Sequence, residues 1–131
     1  MAGFHRVKEA DVKKLHKILD EAVARGKMYA EQCDVVLTEG KFDDPYSRKR
    51  YPGFPRHGKA YVRIKPGTIK MARWLKSEDV AVPTEETSGG VLMEIHGYEN
   101  SYDQRMAHAK GVADVFQMFG IDATVEGTLL S

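Results

Sequence analysis

Residues 91–129 read VLMEIHGYENSYDQRMAHAKGVADVFQMFGIDATVEGTL, and this stretch decides the fold class. Val91 to His96 is a β-rich run ended by Gly97. Ser101 with Gln104 three residues later is a capping-box signature, a hydroxyl placed to meet an N–H that the first helical turn leaves unpaired. A helix follows, with Met106, Ala109, Val112, Ala113, Phe116 and Phe119 on one face and Gly120 closing it. Ile121, Ala123, Val125 and Leu129 then alternate with Asp122, Thr124, Glu126 and Thr128, as a strand with one buried face does.

Upstream, Ala60-Tyr61-Val62-Arg63-Ile64-Lys65 alternates in the same way and ends at Pro66-Gly67. Thr68 is placed to cap a short helix through Lys76, with Ile69, Ala72 and Leu75 inward. Val80-Ala81-Val82 reads as a short strand stopped by Pro83, and Thr84 to Gly90 as a polar turn. Residues 60–130 therefore run β-α-β-β-α-β, which predicts an α+β sandwich of the ferredoxin-like kind, with helices on one face of the sheet. On that topology Arg63 is expected across from Glu94.

In front of it, Val12, Leu15, Leu19, Ala22, Gly26, Tyr29, Cys33 and Val36 recur at spacings of three and four. This predicts one long N-terminal helix over 8–38, with Gly40 as its stop and Gly26 costing about 1 kcal/mol against alanine. The regular seam suits a dimerisation helix, so self-association into a homo-oligomer is expected. Residues 41–59, broken by Pro45, Pro52, Gly53, Pro55 and Gly58, read as a basic loop.

The 131 residues fit one domain. No apolar run approaches the roughly 20 residues of a membrane helix, and Met1 to Arg6 lack the apolar core of a secretory leader. The expectation is a cytoplasmic protein with no membrane partner. Cys33 stands alone, so neither an internal disulfide nor a cysteine-based metal cage is expected, and no cofactor or metal motif is present.

The net charge of +1 conceals a strong asymmetry. Residues 48–76 hold 10 Lys/Arg and no acid, whereas residues 77–131 hold 2 Lys/Arg and 10 Asp/Glu. Such a basic patch predicts a polyanionic partner, unless the acidic third neutralises it within the fold. The expected nucleic-acid-binding residues are Arg48, Lys49, Arg50, Tyr51, Arg56, Lys59, Tyr61, Arg63, Lys65, Lys70 and Arg73, with Tyr46, Phe54 and Trp74 interleaved. Alternation sends Tyr61, Arg63 and Lys65 to the sheet face opposite Val62 and Ile64. There a ring stacks on a base while cations meet phosphates. The glycine-and-aromatic third-strand motif of RNA-recognition modules is missing from Val91 to His96. The leading expectation is thus a non-catalytic binder of nucleic acid or another polyanion. A second is an interaction module, inhibitor or assembly subunit, that meets an acidic protein surface. A third is a small enzyme using Glu94, His96 and Arg63, with Glu99, Asp103 and His108 nearby in sequence.

Overall fold

A computed structural model describes residues 8–35, 55–84 and 89–130. The chain is α+β. Helix α1 (Glu9–Gln32) is followed by β1 (Gly58–Lys65), α2 (Lys70–Ser77), β2 (Val82–Pro83), β3 (Val91–Ile95), α3 (Tyr102–Met118) and β4 (Asp122–Leu129). The four strands form one antiparallel sheet in the order β2-β3-β1-β4.

Alternation sorts the two sheet faces. Ala60, Val62 and Ile64 of β1, Val91, Met93 and Ile95 of β3, and Ala123 of β4 are buried in a single core. Met71, Ala72, Trp74 and Leu75 of α2 complete it with Ala109, Val112, Ala113, Val115 and Phe116 of α3. Trp74 thus belongs to the core and does not interleave with the surface cations. Ser101 caps α3 as the capping box predicts, its Oγ accepting from the Gln104 N–H at 3.4 Å. Thr68 does not cap α2, which starts at Lys70 with Ile69 at its N-cap. The short strand lies one to two residues later than expected, at Val82–Pro83. Phe119 is exposed, because α3 ends at Met118 and the chain turns away, and Leu129 is exposed near the end of the edge strand.

Helix α1 forms a further layer, lying mainly on α3 and touching α2. It is continuous through Gly26, as the unbroken phase of its stripe implies, but it stops at Gln32 and Cys33 is extended. The residues expected to carry it to 38 lie partly outside the described ones. Burial, and then the carboxylates of Asp103, at the start of α3, and of Asp34, raise the Cys33 thiol pKa. The buried residues of α1 are Leu15, Ala22, Gly26 and Ala30. The stripe expected to pair with a second copy packs instead on α3 of the same chain.

Gly26 and Gly111 explain how closely these helices approach. A Cβ on Gly26 would lie 2.8 Å from the His108 carbonyl oxygen, and one on Gly111 would lie 2.7 Å from the Gly26 Cα. Glycine is thus required by the crossing and is no weak point in the helix. The loop expected over 41–59 is shorter than that at its C-terminal end, since β1 begins at Gly58 and His57 bridges to Ser101. Among the described residues no helix is long and apolar enough to cross a membrane.

Candidate functional site

The first candidate surface is the sheet face that no described helix covers. On β1 it carries Lys59, Tyr61, Arg63 and Lys65, as alternation predicts. Register brings Leu92 and Glu94 of β3 beside them, with Asp122, Thr124, Glu126 and Thr128 of β4 on the other side. The three cations Lys59, Arg63 and Lys65 therefore share this face with three carboxylates, Glu94, Asp122 and Glu126.

Arg63 does not lie across from Glu94. Its cross-strand neighbours are Leu92 and Thr124, and Glu94 is opposite Tyr61, two residues back along β1 on the same face. The Arg63 guanidinium donates to both oxygens of Glu126, Nε to Oε1 at 2.5 Å and Nη2 to Oε2 at 3.1 Å. Its Nη1 donates to the Gly89 carbonyl at 3.1 Å and reaches Thr84. The side chain is only 6% exposed, so it ties β1 to β4 and to the ends of the β2–β3 connection. Hydrogen bonding from Arg63 holds the Glu126 carboxyl below its ordinary pKa. Tyr61 is half-buried. Burial, and then the adjacent Glu94 carboxylate, raise its phenol pKa.

The remaining expected contacts are spread apart. Arg56 pairs with Asp103 and lies 5.4 Å over the Tyr102 ring. Lys70 reaches Asp11 of α1 at 3.0 Å. With Arg73 and Lys76 it belongs to the helical layer, on the other side of the sheet from Tyr61. Arg48, Lys49, Arg50 and Tyr51, like Tyr46 and Phe54, lie outside the described residues. The pairs Arg56–Asp103 and Arg63–Glu126 each join the basic third to the acidic third, so part of the charge asymmetry is neutralised inside the fold.

The second candidate was not visible in the sequence. Gly97, Tyr98, Glu99 and Asn100 all have positive φ, at 90°, 57°, 51° and 66°. For residues other than glycine this conformation costs about 1–3 kcal/mol each and persists only where surroundings impose it. Here Arg105 imposes it, donating from Nε to the Gly97 carbonyl at 3.0 Å, from Nη1 to the Gly58 carbonyl at 3.0 Å and from Nη2 to Asn100 Oδ1 at 2.7 Å. The turn sets the Tyr98 hydroxyl 2.7 Å from His108 Nδ1. His108 is buried against α1, and burial, helped by the charge of Lys27, lowers its pKa. A cavity of about 370 Å³ opens at this point, lined by Lys27, Glu31, His96, Gly97, Tyr98 and His108. The pair stands ten residues apart across an irregular turn, a spacing to which no helix or strand periodicity points.

The expected catalytic trio does not assemble. Glu94 and His96 approach to 3.3 Å, but Arg63 is committed to Glu126. Glu99, Asp103 and His108 diverge into the turn, the Arg56 pair and the α1–α3 contact, and no group of three metal-ligating side chains occurs among the described residues. Comparison with protein-family models, curated proteins and solved structures finds no match to this chain.

Proposed function

We propose that the protein is a small non-catalytic binding module, a ferredoxin-like sandwich with a helix added in front, that engages another protein through the sheet face that no described helix covers. The βαββαβ order and the strand order β2-β3-β1-β4 support the ferredoxin-like reading. One observation carries the functional reading: Lys59 and Lys65 share this face with Glu94 and Asp122 around the ring of Tyr61, while Arg63 and Glu126 are paired with each other. Interleaved signs suit a partner that itself carries both signs, and a central tyrosine supplies contact area. A polyanion would instead meet a carboxylate on each side of Tyr61.

Engagement of nucleic acid or another polyanion is the second reading. It is favoured by Lys59, Lys65 and Lys76, which form no ion pair with the other described residues, and by the acid-free run containing Arg48, Lys49 and Arg50.

A photo-crosslinking residue at Thr124, exposed on the sheet face, is compared with one at Lys17, exposed on α1. The expected result is a discrete crosslinked protein from position 124 that is lost on adding Tyr61→Ala, and none from position 17. Equal labelling at both positions would overturn the reading. Tight binding of a labelled single-stranded oligonucleotide, with a steep salt slope flattened by alanines at 48, 49 and 50, would establish the second reading in its place.

A further inference from the structure

The cavity beside His108 carries an inference independent of the sheet face. Tyr98 Oη and His108 Nδ1 are 2.7 Å apart; we assign the phenol as the donor, which places the ring proton of a neutral His108 on Nε2. That second nitrogen has no hydrogen-bond partner among the described residues. It is a donor without an acceptor in a residue that lines the cavity.

The other lining charges come from one turn of α1. Lys27 and Glu31 are four residues apart, close enough on a helix to pair, yet they form no ion pair with each other. The cavity thus presents an ammonium and a carboxylate that form no ion pair among the described residues, and an imidazole N–H. Gly97 and Tyr98 of the left-handed turn, to which Arg105 is bonded, line it too. Strained backbone of this kind recurs at ligand clamps, and the volume of about 370 Å³ falls at the small end of ligand pockets.

We propose that this cavity binds a small α-amino acid, its carboxylate held between Lys27 and the His108 Nε2–H and its ammonium by Glu31. A zwitterion supplies the acceptor that Nε2 and Lys27 lack and the donor that Glu31 lacks. A simple anion would satisfy the first two and be repelled by the third.

The test is an NMR titration of the His108 ring signals in the full chain. The probes are the individual protein amino acids, with acetate and inorganic phosphate as the contrasting ligands. The expected result is a saturable shift with at least one amino acid, and none with acetate or phosphate. Lys27 and Glu31 are exposed, so Lys27→Met and Glu31→Gln leave the fold intact. Each is expected to weaken binding by about tenfold, or 1.4 kcal/mol. Three results would overturn the proposal: no saturable shift up to about 10 mM, saturation by acetate or phosphate at amino-acid concentrations, or binding unchanged in both variants.

Discussion

The guanidinium of Arg63 forks onto the carboxylate of Glu126 across neighbouring strands, at 2.5 and 3.1 Å, and holds the Gly89 carbonyl with its third nitrogen. A cation that the charge pattern offers to phosphates is therefore a structural crosslink on the sheet. Arg63→Ala removes several charge-assisted hydrogen bonds at a site 6% exposed and is expected to cost about 2–3 kcal/mol in urea denaturation. A change below about 0.5 kcal/mol, the range of ordinary surface substitutions, would show that the fork contributes nothing to stability.

The same pair has a pH signature. Arg63 holds the Glu126 carboxyl below its ordinary value of 4.5, so the unfolded chain takes up this proton first as pH falls. The stabilisation is fully present above about pH 4.5 and is lost as pH drops through the folded-state value. The stability gap between the native chain and Glu126→Gln should therefore be constant near neutrality and close in acid. A gap that widens on acidification would contradict the pairing.

Gly26→Ala separates intrinsic propensity from packing. In an isolated helix the change is favourable by about 1 kcal/mol. Here the new methyl meets the His108 carbonyl and ring at 2.8–2.9 Å. Overpacking of this kind costs about 1–3 kcal/mol, so a net loss is expected, read as a lower thermal midpoint. A higher midpoint would mean that α1 and α3 are not in contact there.

His108 gives a second, independent pH dependence. Burial lowers its pKa below the ordinary 6.5, so the unfolded chain binds the proton more readily. Stability from this residue is complete above about pH 6.5 and declines as pH falls from there towards the folded value. The slope is at most 1.36 kcal/mol per pH unit for one proton. Tyr98, Lys27, Glu31 and His96 also face this site, so the comparison is made against His108→Gln, in which that slope should disappear. A slope that survives in the variant would assign it to another group.

Glu99 is exposed and left-handed at φ 51°, and no described hydrogen bond or ion pair uses its side chain. Left-handed backbone costs a non-glycine residue roughly 1–2 kcal/mol, part of which glycine returns through unfolded-state entropy. Glu99→Gly is expected to raise stability by about 0.5–1 kcal/mol. Destabilisation would show that the Glu99 side chain helps to hold the turn.

The elements with strong local signals were legible. Alternation in Ala60–Lys65 named Val62 and Ile64 as core residues of β1 but not the burial of Arg63, the capping box placed the start of α3, and the stripe of α1 continued through Gly26. These features depend on neighbours within a turn or two along the chain, which periodicity and caps report directly. Three further features depended on residues remote in sequence. Register decided that Arg63 meets Glu126 and that Glu94 meets Tyr61, because a shift of two residues along an antiparallel pair keeps each side chain on its face but changes every cross-strand partner. The partner of the α1 stripe was decided by packing, since one apolar face suits a second copy or α3 equally well until the chain is folded. The Tyr98–His108 contact needed the left-handed turn, which Arg105 braces by reaching back from α3 to Gly97 and Asn100. The charge imbalance was plain in the composition, but whether its cations face solvent or a carboxylate was set by which strands and helices came to lie side by side.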